Sequence, residues 1–141
     1  MTFLDTNVFI YAAGRESEFK APCTQILADV VRGDLPAAID SEVCQEIMYV
    51  YHRRQRPDLA AEVAGRVLRL PLTVLPVGKV ETELAVAICR EKQAAGLRPR
   101  DAIHAAVMRQ NTIRPVISTD PHFDLLDGIE RIDPREYAKS K

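Results

Sequence analysis

Four short apolar segments alternate along this chain with longer stretches of helical period, and that alternation restricts the fold more than any other feature. They are Met1–Leu4, Pro36–Ile39, Leu72–Val77 and Pro115–Ser118, brief enough to favour strands over helices. Strand–helix alternation predicts parallel strands joined by helical crossovers, with helices on both faces of the sheet.

The intervening segments carry helix signals. Val8–Ala13 is apolar and stops at Gly14, and the polar loop Arg15–Lys20 follows. Pro22 then sits in the first turn of a helix whose apolar positions are Cys23, Ile26, Leu27, Val30 and Val31, with Gly33 ending it. Ser41 reads as the N-cap of a helix with Val43, Ile47, Val50 and Tyr51 on its inner face. A basic break, His52–Pro57, leads into a helix reaching about Arg69. Lys79–Ala95 forms a long helix stopped by Gly96, and Pro99, Arg100 and Asp101 open another that runs through Gln110. Thr119, Asp120 and Pro121 make a turn. The tail offers a helical piece near Phe123–Leu126 and a very short strand around Ile129–Ile132. Without an internal repeat or a linker, residues 1–141 read as one domain.

Composition narrows the class. A chain that is 47% apolar and 28% charged can bury a core, which sets it apart from disordered sequences. Its longest apolar run, near Leu70–Val77, falls short of the roughly 18 residues of a membrane span. The start lacks a basic lead-in and carries Asp5 in its first apolar segment, so no secretory signal is expected. Cys23, Cys44 and Cys89 are widely spaced, with no C-x-x-C pair, which argues against a disulfide frame or zinc knuckle and for a reducing cytoplasm. The 19 basic and 20 acidic side chains leave a net charge of −1. Bulk charge therefore excludes a strongly basic nucleic-acid binder, though not a local basic patch.

The acids matter more for their positions than for their number. Asp5 directly follows the first strand and Asp120 closely follows the fourth, which puts both at the carboxyl edge of a parallel sheet, where ligands bind. Glu46 lies one turn into the helix after the second strand, and Asp101 opens the helix that leads into the fourth. Each has a local explanation. Asp5 or Asn7 can cap the Val8 helix, Asp101 complements a helix dipole, and Asp120 suits a turn. Glu42, four residues before Glu46, competes with it for the same helix face. Together, however, four carboxylates in one cleft repel one another unless a cation neutralises them, and hard oxygen ligands suit Mg²⁺ or Mn²⁺. His52, His104 and His122 form no pair at zinc-ligand spacing, and no Ser or Cys sits in a nucleophile-elbow context.

Three stretches carry a resemblance. Phe3-Leu4-Asp5-Thr6-Asn7-Val8-Phe9-Ile10-Tyr11 resembles the opening motif of PIN-domain nucleases. Arg100-Asp101-Ala102-Ile103-His104-Ala105-Ala106 resembles their third acidic motif, and Ser118-Thr119-Asp120-Pro121-His122-Phe123-Asp124 their fourth. The second motif is looser, Ser41-Glu42-Val43-Cys44-Gln45-Glu46, and Glu46 is its best match to the family's helix glutamate. Size and build are similar to the VapC group, the toxin halves of bacterial toxin–antitoxin pairs.

The resemblance implies an α/β/α sandwich around a central parallel sheet of four to five short strands. It implies a Mg²⁺- or Mn²⁺-dependent ribonuclease that leaves a 5′-phosphate and a 3′-hydroxyl. It also implies a homodimer, and a small antitoxin whose C-terminal segment covers the active cleft. Carried over by position, Asp5, Glu46, Asp101 and Asp120 are the catalytic acids. Asp5, Asp101 and Asp120 hold metal, while Glu46 binds metal or orients water. Asn7 orients an acid or a water, and Asp124 matches an additional acid that serves from behind the ligands. His104 matches a position often occupied by His, but a histidine on a mostly apolar helix face is more often packed than catalytic, and it is left out of the site. Phosphate contacts fall to Arg53, Arg54 and Arg56 or to Arg98 and Arg100.

Other classes fit less well. Haloacid-dehalogenase phosphatases need a second Asp where Asn7 stands, and receiver domains need paired acids after the first strand and a Lys after the last. A non-catalytic PIN-like module, binding RNA or protein, usually lacks one or more of the acids that are complete here. Cys23–Val31 and Val43–Tyr51 carry more apolar positions than one buried face requires, which fits either core or a partner surface.

Overall fold

The computed structural model describes residues Met1–Lys141. Strands β1 (Thr2–Leu4), β2 (Ala37–Asp40), β3 (Thr73–Leu75), β4 (Pro115–Ile117) and β5 (Glu130–Ile132) form one sheet in the order β3-β2-β1-β4-β5. Every pairing is parallel. The chain builds outward from β1 through β2 to β3, then returns to the other side of β1 with β4 and β5. The order therefore reverses between β1 and β4, and the crevice at their carboxyl ends is where an open α/β sheet takes its ligand.

Seven helices flank the sheet: α1 (Thr6–Ala13), α2 (Lys20–Arg32), α3 (Ser41–Arg53), α4 (Pro57–Leu68), α5 (Lys79–Lys92), α6 (Pro99–Gln110) and α7 (Pro134–Lys139). All four residues of β2 are buried, so side chains on both of its faces are covered, as the expected α/β/α layering requires. The core runs through Phe3, Leu4, Ile39, Ile47, Met108, Ile117 and Phe123, all essentially inaccessible to solvent. Each such side chain contributes roughly 1.5–3 kcal/mol by leaving water. Along α6, Ala102, Ala105 and Ala106 are fully buried. Small side chains let this helix lie close to its neighbours, which carries Asp101 and His104 inward with it.

Several boundaries differ from the sequence reading for reasons of capping. α1 begins at Thr6 rather than Val8, because the Asp5 carboxylate accepts from the Thr6 N–H at 2.8 Å. The cap of α3 is Asp40, not Ser41; its Oδ1 accepts from the Val43 N–H at 3.0 Å. β3 is shorter than Leu72–Val77. The tail also holds α7, which the sequence reading lacked: Asp133 caps it through the Arg135 N–H at 2.8 Å and Pro134 fills its first turn. Tyr137 of α7 donates to the buried Asp29 of α2 at 2.8 Å and ties the end of the chain down.

Candidate active site

Asp5 leaves β1 at the switch point and serves two masters. Its Oδ1 caps α1, while its Oδ2 accepts from the Asn7 side-chain amide at 2.8 Å and the Ser118 hydroxyl at 2.6 Å. Ser118, just past β4, also accepts from the Asp120 N–H at 2.9 Å, so one hydroxyl binds the ends of two adjacent strands together. The Thr119 N–H donates to Asn7 Oδ1 at 3.3 Å and closes the loop. Asn7 is thus hydrogen-bonded to Asp5 and to the loop after β4.

Asp101 in the first turn of α6 and Asp120 after β4 face each other across Arg98, whose guanidinium pairs with both carboxylates. Glu46 arrives from α3. Its Oε1 accepts from His104 Nε2 at 2.8 Å, and its Oε2 lies 3.6 Å from Arg100. His104 is fully buried and its other nitrogen, Nδ1, lies 2.7 Å from Asp40 Oδ2. All four expected acids, with Asn7, line a single polar cleft of about 910 Å³.

Their charge states reveal the strain of gathering them. Burial raises Asp101, and the neighbouring Asp5 and Asp120 raise it further, to about 6 despite Arg98. Asp5 is also raised, chiefly by burial, against the help of His104 and Ser118. Burial acts the same way on Glu46, but the His104 hydrogen bond and charge outweigh it and hold that carboxyl below its ordinary value. Asp120 is likewise lowered: the His122 N–H and imidazole, with Arg98, overcome its burial. Burial would pull His104 down, yet its bonds to Asp40 and Glu46 keep it well above the ordinary histidine range. Each of its ring nitrogens thus faces a carboxylate oxygen, an arrangement that favours the charged ring.

The donor set fits a hard divalent cation. Ligand atoms of Asp5, Glu46 and His104 lie within 4.8 Å of one another, as do those of Asp101, Asp120 and His122. Both His104 nitrogens are already engaged by Asp40 and Glu46, which leaves carboxylate oxygens as the main donors. Burial, reinforced by repulsion from Asp5 and Asp120, raises Asp101, and a cation would offset both. Thr6 Oγ1, on the cleft wall, is buried with no hydrogen-bond partner by distance and angle, although it lies near enough to Glu46 to favour the charged form.

The profile of the PIN domain matches residues 2–129. The chain belongs to the PIN-domain family. Among PIN relatives, Ribonuclease VapC7 of Mycobacterium tuberculosis is 30% identical over 135 residues, covering 95% of this chain and 92% of the relative. Similar folds include VapC20 of Mycobacterium tuberculosis, described as a sarcin-ricin loop cleaving toxin, at a TM-score of 0.75 and 19% identity over 89% of this chain and 94% of that one. A toxin–antitoxin complex from Klebsiella pneumoniae gives a TM-score of 0.64 at 19% identity, over 95% of this chain and 98% of the other.

Within this PIN fold some expectations shift. Asp124 lies away from the cleft: the turn Pro121–Leu125 directs it toward β5, where Arg131 grips both oxygens at 3.0 and 3.2 Å. Through Arg131, which also donates to the Ser118 carbonyl at 3.1 Å, it reaches the site only at second hand. Glu42 is half-buried and absent from the cleft wall, so Glu46 is the acid of α3 that reaches the site. His104 was passed over as packing and is instead the hub of the buried network. Asp40 was missed as well. It ends β2 on the edge where Asp5 follows β1, so the rule that picked out Asp5 would have found it.

Proposed function

We propose that this PIN-domain protein is a Mg²⁺- or Mn²⁺-dependent ribonuclease, the toxin of a VapC-type toxin–antitoxin pair. The observation that carries this reading is the convergence of Asp5, Glu46, Asp101 and Asp120 from four elements into one cleft, where mutual repulsion calls for a cation. Asp5, Asp101 and Asp120 would hold it. When bound, the cation supplies charge neutralisation for the scissile phosphodiester and activation of the attacking water.

The chain's own groups set the geometry. Asn7 and Ser118 fix Asp5, so that its carboxylate presents a constant face to the cleft. His104 holds Glu46 Oε1, leaving Oε2 to orient the attacking water. Arg100, beside Glu46, and Arg98, between Asp101 and Asp120, are placed to meet the phosphate oxygens. Cation loading also turns the net charge of −1 positive, which favours a polyanionic substrate.

The antitoxin reading has support beside the cleft. A groove of about 270 Å³, mostly apolar and including Phe9, Leu27, Val63 and Leu70, lies on the other face of α1. A homodimer is supported by exposed Val74 on edge strand β3 and Val80 and Val86 on α5. A cytoplasmic location agrees with three free cysteines. No helix is long and apolar enough to cross a membrane.

Incubating purified protein with structured RNA, with Mg²⁺, Mn²⁺ or EDTA, tests the reading. Cleavage that requires the metal and disappears in Asp101→Asn is expected. Equal cleavage by both proteins would overturn it, and metal-independent RNA binding without cleavage would favour a non-catalytic module.

A further inference from the structure

Four arginines line the cleft, and they divide into two kinds. Arg98 and Arg100 are spoken for by Asp101, Asp120 and Glu46. Arg15 and Arg54 also line it, yet neither has a carboxylate oxygen within 4.0 Å. Arg54 only lies along the Tyr51 ring, 5.8 Å from its centroid.

Their places in the fold are matched. α1 and α3 leave adjacent parallel strands at the same sheet edge and contact each other. From Asn7 and Tyr11 on α1 the cleft continues past Gly14 to Arg15, in the bend just beyond that helix, and on α3 it runs from Glu46 through Val50 to Arg54, the residue that caps the helix. The α3 run steps by four residues, one helix stripe, and both runs travel from the acid end to a free cation. Eight residues of helix span about 12 Å, more than one phosphate step along a strand. The dipole at a helix C-terminus favours basic residues in general, and His52 and Arg53 already satisfy it on α3. Of the basic run after α3, only Arg54 reaches the cleft; Arg56 turns away to Asp58 at 3.1 Å.

We infer that Arg15 and Arg54 form a phosphate clamp that holds a single-stranded RNA segment leading away from the cleaved bond. This rests on the ribonuclease reading and deepens it. The clamp contacts the backbone, so it adds affinity and register without reading sequence. It also makes cleavage depend on substrate length, because a strand that ends near the acids never reaches it.

The test compares wild type, Arg15→Gln, Arg54→Gln, the double variant and Arg56→Gln on a dinucleotide and on a single strand of about ten nucleotides. All three positions are exposed, so folding should survive, and Mn²⁺ affinity by calorimetry should stay at the wild-type value. The double variant should raise KM for the longer RNA about tenfold, with kcat within about twofold, and leave the dinucleotide unaffected. The slope of log KM against log salt should flatten by about 0.7 for each arginine lost. An unchanged KM assigns these arginines to an acidic protein segment and overturns the clamp. So does an equal loss in Arg56→Gln, or an equal loss on the dinucleotide. Wild-type protein that cleaves neither RNA overturns the ribonuclease reading and the clamp with it.

Discussion

Asp101 and His104 sit one turn apart on α6 and titrate against opposite constraints. Asp101 is raised from 3.8 to about 6, so between those values the folded state holds a proton that the unfolded chain has released. Stability of the metal-free protein through this group therefore falls as pH rises across that window. Asp101→Asn should be more stable than wild type by about 1–3 kcal/mol at pH 7 in EDTA, with the gap closing toward pH 4; urea melts at both values check this. His104 is raised above 6.5, so its contribution is complete below that value and is lost as pH rises through the higher folded value. Removing it leaves Asp40 buried beside no counter-charge. His104→Gln should cost about 3–5 kcal/mol at pH 6, measured by the same melts, and should lose the alkaline decline.

At the scale of elements, short capped helices do the positioning. Asp5 and Asp40 end their strands and cap the next helices, so the same carboxylates that stop β1 and β2 aim α1 and α3 along the cleft. Gly14 ends α1 with little room: a Cβ there would meet the Ile10 carbonyl at 2.9 Å. Gly14→Ala should destabilise the protein by about 1–3 kcal/mol and weaken RNA binding through Arg15, which calorimetric melts and binding curves can separate. The elements themselves were readable because their apolar periods are strong, as in α2 and α3. Caps were harder, since Asp40 and Ser41 are adjacent residues with equal claims to one position. α7 escaped notice because its few residues carry almost no apolar period, although Asp133 and Pro134 announced its start.

For the molecule as a whole, the strand order decides what the acids become. Asp5 and Asp120 meet because β4 returns beside β1, and Glu46 and Asp101 join them from the crossover helices α3 and α6, which contact each other. Asp5 and Asp120 were legible from their distances to strand ends, and Glu46 and Asp101 from their places on helices together with the motifs they resemble. The buried Asp40–His104–Glu46 chain was not, because which face of an apolar helix meets which strand end depends on tertiary packing. Cation binding at such a site stabilises the fold by mass action, about 2.7 kcal/mol at a hundredfold excess over Kd. Saturating Mn²⁺ should thus raise the melting temperature of wild type and leave that of Asp101→Asn nearly where EDTA puts it. Calorimetric titration of Mn²⁺ into the two metal-free proteins at pH 7 addresses the central claim directly. Saturable binding by wild type that is lost in Asp101→Asn is the expected result; heats of equal size and midpoint in both would contradict it.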